Sequence, residues 1–312
     1  MSEKKRSPAL DYVVYAVIRL VVCVLQALSF RAACRFADLL AWLAYQVDKR
    51  HREVAKENLR HAFPGVYNEQ ELDHLVRHVY RHFCLLLVEI VHLPRRLHQE
   101  NWTKHVDYRT PEEGRRLVVT LISGRPVLLA TGHFGNWELS SYLLGLLGFR
   151  IAAIARPIDN PYLDAYLRRF REAHGQTILN KNGDFDRIQK VLDEAGILGT
   201  LADQDAGAKG LFVDFFNRPA STHKALALLA LEHEVMIVVV AAARIGEPLK
   251  YQVMVEDVID PREYAGRPDA VKALTQRYMH AIERMVRQHP EQYFWLHRRW
   301  KHQPAAKKKR AA

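Results

Sequence analysis

Short apolar runs alternate with helical segments from residue 126 onward, and this alternation constrains the fold more than any other feature. The runs are PVLLAT, IAAIA, QTIL, ILGTLA, LFVDFF, VMIVVVAAA and YQVMVE, each about as long as a buried strand. They predict an α/β fold with a mixed, mainly parallel sheet flanked by helices. Ligands of such sheets bind beyond the carboxyl ends of the strands, so residues that follow each run are candidates for a functional site.

The chain begins with an apolar stretch, LDYVVYAVIRLVVCVLQALSF at residues 10–30. As a helix this stretch is about 30 Å long, enough to cross a hydrocarbon core. Only Asp11 and Arg19 are charged, and a central Arg costs about 2.5 to 3.5 kcal/mol on insertion scales. We therefore predict a membrane anchor at 1–30 and leave open whether it spans the membrane or lies in the interface. A buried helix of a soluble domain is the alternative.

Residues 31–110 are predicted to form a helical membrane-surface region. One helical stripe is apolar and basic residues cluster beyond it; the stripe comprises Phe36, Leu39, Leu40, Leu43 and Val47. A second helix is predicted from Glu69 to Leu93, after the break at Pro64 and Gly65.

The formal net charge of +11 at pH 7 calls for an anionic partner. A nucleic acid, a phospholipid surface, an acidic carrier protein and a phosphorylated substrate all qualify. Because the apolar segment favours a membrane, no nucleic-acid partner is predicted. The three cysteines are an odd number without a CxxC pair, so we predict neither a disulfide framework nor a zinc site. A basic tail is predicted at 302–312.

The stretch TGHFGNWE at residues 131–138 directly follows a predicted strand and opens a helix. His133 and Glu138 would lie about 140° apart on one continuous helix. They meet only if His133 lies in the turn, and Glu138 could then orient the ring so that its other nitrogen acts as a base. Alternatively, His133 caps a turn and Glu138 complements the helix dipole; the spacing alone favours neither.

Other catalytic signatures are absent from the sequence: it contains no G-x-S-x-G, P-loop, H-E-x-x-H or G-x-G-x-x-G. This disfavours a serine hydrolase, an NTPase and a zincin.

The strand followed by HFGNWE resembles the His-x4-acidic motif of glycerolipid acyltransferases. The residues of this motif are similar to those of the late (secondary) acyltransferases of lipid A biosynthesis. Further matches follow in order: RPIDNPYLDAYLRR, LADQDAG, LFVDFFNRPASTHKALALLA and HPEQYFWLHRRWK. The resemblance covers nearly the whole chain. It departs at Asn217, where the family usually has glycine, and Asn tolerates the left-handed conformation that such a turn needs.

The resemblance implies that His133 deprotonates a hydroxyl on a 3-hydroxyacyl chain of a lipid A precursor and that Glu138 orients it. The donor would be the thioester of acyl carrier protein. The catalytic α/β domain, at 111–301, would face the cytoplasm from the inner membrane, and no metal or redox cofactor is expected. Substrate contacts are predicted for Asn136, Arg156, Asp203, Gln204, Arg218 and Thr222.

Several of these assignments have a structural alternative. Arg156 could hold a phosphate or form a surface ion pair. Asp203 and Gln204 could contact substrate or belong to a buried network, and Thr222 could cap a helix. The acceptor could also be another anionic glycolipid or phospholipid, of the phosphoinositol-mannoside type, with acyl-CoA as donor. A rival of another class is a membrane-docked protein whose basic surface binds anionic lipid or nucleic acid without turnover.

Overall fold

The computed structural model describes residues 7–173, 175–180 and 183–304. Its strands are β1 (Val106–Tyr108), β2 (Val127–Thr131), β3 (Ile151–Ala155), β4 (Gln176–Asn180), β5 (Ile197–Leu201), β6 (Leu211–Phe215), β7 (Arg218–Thr222), β8 (Met236–Arg244) and β9 (Tyr251–Ile259). Seven of them form one sheet in the order β1-β9-β8-β2-β5-β3-β4. Within this seven-stranded sheet only the β8–β9 pair is antiparallel, which confirms the predicted mixed, mainly parallel sheet.

Ten α-helices surround the sheet within the described residues. They are α1 (Pro8–Ala27), α2 (Phe30–Val47), α3 (Lys49–Ala62), α4 (Glu69–Arg96), α5 (Pro111–Leu121), α6 (Trp137–Leu146), α7 (Pro161–Glu172), α8 (Phe185–Asp193), α9 (Ala225–Glu232) and α10 (Ala270–Gln288). Asn68 begins α4 with a capping box, in which its side chain accepts from backbone N–H groups and Glu71 reaches back to the cap.

Strand β8 explains why the apolar run VMIVVVAAA has no polar alternation. Val239 and Ala241 pack into the core on one face of the sheet, where α10 also packs. Val238 and Val240 point to the other face and pack with residues of α5 and α6. Successive side chains of a strand alternate between faces, so a strand covered on both faces is apolar throughout.

The run LFVDFF does not join the main sheet, contrary to the prediction. It forms β6, which pairs antiparallel with β7 in a separate two-stranded hairpin. Phe216 and Asn217 make the turn with φ values of 54° and 57°, the conformation of a two-residue hairpin turn. The alternative in which Thr222 caps a helix is also wrong, because pairing with β6 keeps residues 221 and 222 extended and α9 begins only at Ala225.

The N-terminal helices pack directly on the catalytic part of the chain. Helix α2 buries Ala33, Ala37 and Ala41, and Ala41 belongs to the same core cluster as the sheet residue Val239. The apolar stripe predicted for the membrane surface points outward, with Val47 77% exposed.

The sheet itself begins at β1, before the domain boundary predicted at 111. Most of the predicted basic tail at 302–312 lies outside the described residues.

Candidate active site

His133 lies in the loop between β2 and α6, at the carboxyl end of a central strand. Three backbone hydrogen bonds fix this loop: Gly135 N donates to Gln292 O at 3.1 Å, Asn136 N to Ala242 O at 2.8 Å, and Phe294 N to His133 O at 3.0 Å. The loop is therefore held by the end of β8 and by the segment that follows α10.

Asp203 holds His133 by two contacts. Its Oδ1 lies 2.8 Å from His133 Nδ1, and its Oδ2 accepts a 2.8 Å hydrogen bond from the backbone N–H of His133. Asp203 follows β5, which pairs in parallel with β2, so the two residues meet where neighbouring strands end. The prediction that functional residues follow the apolar runs places both of them at this edge.

Glu138 does not orient His133, and that prediction was wrong. Its carboxylate instead pairs with Arg171 of α7: Arg171 Nε lies 3.1 Å from Oε2, and a second, shorter bond joins Nη2 to Oε1. Glu138 lies in the first turn of α6, after the helix cap at Asn136, whereas the ring nitrogen of His133 already contacts Asp203. The His133–Glu138 pair that the resemblance implied is thus divided between two separate ion pairs.

The Asp203 carboxylate places the proton of the neutral His133 ring on Nδ1, and it also stabilises the charged ring. Burial lowers the pKa of His133, but the Asp203 carboxylate outweighs burial and the pKa is raised above its ordinary value. Burial opposes ionisation of Asp203 as well, yet contact with His133 holds the pKa of this carboxyl below its ordinary value. With Nδ1–H donating to Asp203, His133 Nε2 keeps a free lone pair.

Gln204 faces the free nitrogen of the ring. Its Nε2 lies 3.3 Å from His133 Nε2, and its side chain is exposed. The His133 ring also packs against Trp137 and Phe294, with centroid distances of 5.4 and 5.9 Å, and the His133 side chain is 16% exposed. The ring is thus shielded on its aromatic side and open toward Gln204, where an acceptor group can approach.

A family model described as bacterial lipid A biosynthesis acyltransferase matches residues 3–302 of this chain. The chain belongs to this family. The lipid A biosynthesis palmitoleoyltransferase of Escherichia coli (strain K12) is 24% identical over 280 residues, covering 89% of this chain and 87% of the relative. The lipid A biosynthesis lauroyltransferase of the same organism is 25% identical over 294 residues, covering 92% and 90%. The chain is therefore an O-acyltransferase.

The other residues that were predicted to contact substrate in this acyltransferase lie in different surroundings. Asn136 is fully buried; its Oδ1 accepts from Leu139 N and its Nδ2 donates to Tyr251 OH. Thr222 is also fully buried and accepts from Arg299 at 2.7 Å. Asn136 therefore caps α6 from the interior, whereas Thr222 lies within β7 and caps no helix. The predicted substrate contacts of both residues stay predictions.

Arg156 and Arg218 remain accessible. The Arg156 side chain is 85% exposed, with a 3.4 Å contact to Asp159, so it is free to meet a phosphate. Arg218 is partly buried and its guanidinium lies 5.8 Å from the ring centroid of Trp300. Their substrate contacts stay predictions.

The sequence analysis missed a buried network behind the His133 loop of the acyltransferase. Arg244 donates to both oxygens of Glu89, at 2.6 and 2.5 Å, and to His82 Nδ1 at 2.8 Å. Because Arg has only donors, His82 carries its proton on Nε2, which lies 3.3 Å from Gly135 O. Burial and then the Arg244 charge hold the pKa of His82 well below its ordinary value. Neutral His82 thus ties α4 to the catalytic loop.

Glu89→Gln is expected to destabilise the acyltransferase by about 3 to 5 kcal/mol, because it leaves the Arg244 charge buried without its partner. Chemical denaturation followed by circular dichroism measures the loss. Glu69→Gln, which removes an exposed ion pair with Arg60, is the control and is expected to leave the midpoint unchanged. Equal midpoints for the two variants would show that the buried pair contributes nothing.

Gly135→Ala is expected to disrupt the catalytic loop. Gly135 has φ +60°, and a Cβ there would lie 2.1 Å from Ala242 O. Gly148 also has a positive φ, of +88°, but with open space around it, so Gly148→Ala is a matched control for the backbone conformation. We expect Gly135→Ala to destabilise the fold by about 1 to 3 kcal/mol beyond the control and to abolish transfer. Full activity in both variants would contradict this.

Arg299 is a second residue whose role the sequence did not show. It is 1% exposed and donates to Ser221 O at 2.6 Å and to Thr222 Oγ1 at 2.7 Å. Its charge helps to hold the pKa of Asp203 low. Arg299 therefore joins the β6–β7 hairpin to the electrostatics of the catalytic pair.

The described residues contain no cluster of three or more His, Cys, Asp or Glu side chains that could hold a metal ion. That catalysis needs no metal or redox cofactor stays a prediction.

Proposed function

We propose that this chain transfers a fatty acyl group from acyl carrier protein to a hydroxyl of a lipid A precursor, at the cytoplasmic face of the inner membrane. The observation that carries the proposal is the His133–Asp203 pair at the end of β2, in a chain whose family match covers residues 3–302. The relatives' names supply the acceptor class, and the apolar α1 and the net charge of +11 support the membrane location.

In the proposed reaction, His133 Nε2 takes the proton from the hydroxyl of a 3-hydroxyacyl chain. The oxygen attacks the thioester carbonyl, so that a C–O bond forms and a tetrahedral intermediate results. Collapse breaks the C–S bond, and the proton on His133 passes to the departing thiolate of the carrier. Asp203 stabilises the imidazolium that exists between these steps. General-base catalysis of this kind contributes about 10²- to 10⁴-fold.

Gln204 and Arg171 complete the proposed machinery. The Gln204 amide occupies the position beside His133 Nε2 that the acceptor hydroxyl needs, and it can hydrogen bond to that hydroxyl once displaced. Arg171 uses Nε and Nη2 on Glu138 and is 23% exposed. Its remaining N–H groups can stabilise the negative oxygen of the tetrahedral intermediate. Glu138 is then a positioning residue that acts through Arg171.

Glu138→Gln is expected to lower kcat by about 10- to 100-fold, less than the roughly 10²- to 10³-fold that follows loss of a whole oxyanion donor. The acid limb of its pH–rate profile should stay where it is in the wild type, because Asp203 still sets the pKa of His133. Rate measurements between pH 5 and pH 9, a range of roughly two units around neutrality, separate the two roles. An acid limb displaced in Glu138→Gln would restore Glu138 as the partner of His133.

The reaction is tested with purified protein and a tetra-acylated lipid A precursor. The donor is acyl carrier protein or coenzyme A that carries a radiolabelled acyl group. A phosphoinositol mannoside is included as the competing acceptor. We expect label in the lipid A product with acyl carrier protein as donor, and none with His133→Ala. Transfer only to the mannoside, or only from acyl-CoA, would change the substrate assignment. Lipid binding without transfer to any acceptor would favour a binding protein.

A further inference from the structure

Helix α1 is the one helix among the described residues that is long and apolar enough to cross a membrane. It does not extend away from the protein, because its start is bound to the residue before α7 and its end is bound to α4. Near its start, Asn160 Nδ2 donates to Asp11 O at 2.8 Å. Near its end, His92 Nε2 lies 3.0 Å from Leu25 O, and Arg95 donates to Gln26 O at 2.5 Å. The helix is thus fastened along its length.

The side of α1 that contacts the protein carries its polar residues. The Arg19 guanidinium lies 4.5 Å from the ring centroid of Tyr166 on α7, and the Tyr15 ring lies 5.9 Å from that of Tyr162. The opposite side is exposed and apolar: Leu10, Val13, Val14, Val17, Ile18, Leu20, Val21 and Val24. Arg19 thus faces α7 and not the apolar side, so insertion of the apolar side into lipid does not bury its charge. Helix α1 is therefore apolar on one side only.

The contacts of α1 are incompatible with a transmembrane orientation. Asp11 and Leu25 are separated by about 21 Å of helix at 1.5 Å per residue, most of the roughly 30 Å of a hydrocarbon core. Over part of this length α1 lies beside α7, whose sequence PYLDAYLRRFRE holds five charged residues. If α1 crossed the membrane, α7 would enter the hydrocarbon with it, and each central charge costs about 2.5 to 3.5 kcal/mol or more.

The residues that flank α1 agree with this restriction. Lys4, Lys5 and Arg6 precede the helix and Arg31 and Arg35 follow it. Basic flanks remain on the cytoplasmic side, and here both flanks are basic. The sequence therefore favours both ends of α1 on the same side of the membrane.

We propose that α1 lies in the plane of the membrane, with its exposed apolar side in the lipid of an anionic leaflet and both of its ends on the side of the catalytic domain. The protein is thereby attached to one leaflet without crossing it. The occupant of the apolar side is lipid, since a one-sided apolar helix with basic flanks suits an anionic interface. The inference rests on the membrane attachment proposed above and is independent of the reaction.

Thiol labelling tests the orientation. In a protein with Cys23, Cys34 and Cys84 changed to Ala, single cysteines are introduced as Ser7→Cys before α1, Ser29→Cys after it, and Arg187→Cys on α8 as the reporter of the catalytic domain; all three positions are exposed. A membrane-impermeant maleimide is applied to inverted vesicles and to spheroplasts. We expect all three to react in inverted vesicles only. Reaction of Ser7→Cys on the side opposite to Arg187→Cys would overturn the proposal.

Cross-linking in native membranes tests whether α1 stays docked. A Tyr15→Cys, Tyr162→Cys protein on the same cysteine-free background should form an intramolecular link with a short thiol-specific reagent. The Tyr15→Cys, Arg187→Cys pair, whose second site is on α8, should not. Absence of the first link in membrane-bound protein would mean that α1 separates from α7 in the membrane, and this outcome would falsify the in-plane orientation.

Flotation identifies the occupant of the apolar side. The wild type should float with vesicles of phosphatidylethanolamine and phosphatidylglycerol, and Val17→Asp with Val21→Asp should lose at least tenfold of that binding. Loss of a dimer in the double variant without loss of flotation would assign the apolar side to a second copy and overturn the proposal. A protein inactive in acyl transfer that still floats and labels as expected would count against the reaction alone.

Discussion

Replacing His133 by Ala is expected to lower acyl transfer at least 100-fold, up to the roughly 10⁴-fold that general-base catalysis can contribute. The hydroxyl would lose the only free ring nitrogen that the loop presents to it, the Nε2 whose partner nitrogen is fixed by Asp203. Binding of the acceptor should change little, because the lost interaction belongs to the transition state. Initial rates at saturating acceptor and donor measure the effect.

A matched control comes from another histidine. His280 is exposed on α10, and His280→Ala should retain the wild-type rate. Thermal unfolding of both variants shows whether the fold is kept. If folded His133→Ala retained more than about a tenth of the wild-type rate, far above the loss expected for a general base, His133 would not be the base.

Asp203→Asn is expected to lower the rate by about 10²- to 10⁴-fold, although it changes a single atom. The carboxylate fixes the proton of His133 on Nδ1 and stabilises the imidazolium in a buried site. An amide can present its N–H to Nδ1, which favours the wrong tautomer, as in the analogous change of a serine-protease triad. Single-turnover kinetics with preloaded donor isolate this chemical step.

The control for Asp203→Asn is Asp107→Asn on β1, an exposed position that should keep full activity. The fold is expected to persist in Asp203→Asn, since Asn can still accept the backbone hydrogen bond from His133 N. Asp203→Asn with a rate equal to the wild type would remove the residue from the mechanism.

The sequence predicted the sheet and the region of the site because these depend on local patterns. The run PVLLAT became β2 and the run IAAIA became β3 within a residue, since apolar runs of this length read directly as buried strands. His133 and Asp203 each follow such a run, and parallel strands end at one edge. Both residues were therefore candidates before their contact was known.

The pairing within the site was not predictable from spacing. The partner of Glu138 is Arg171, on another helix 33 residues away along the chain, and the partner of His133 is 70 residues away. Spacing within one turn cannot show which distant side chain takes a hydrogen bond. The buried Arg244 and Arg299 are similar cases, because basic residues normally lie at the surface and only tertiary contacts with Glu89 and Thr222 show otherwise.

The hairpin of β6 and β7 shows a different limit. The run LFVDFF has the composition of a sheet strand, and its separation from the main sheet depends on the turn at Phe216 and Asn217. Asn favours the left-handed conformation, but Phe216, with φ 54°, does not reveal such a turn by its residue type. The segment therefore looked like a strand of the main sheet.

The pH dependence of kcat/KM for acyl transfer, compared between the wild type and Asp203→Asn, tests the central claim most directly. In the wild type the acid limb should lie above pH 6.5, the ordinary pKa of histidine, because Asp203 raises the pKa of His133 and the base works only when neutral. In Asp203→Asn the residual activity should have its acid limb at lower pH, since burial then acts on His133 without the carboxylate. An acid limb at the same pH in both proteins would contradict the His133–Asp203 pair as the catalytic base.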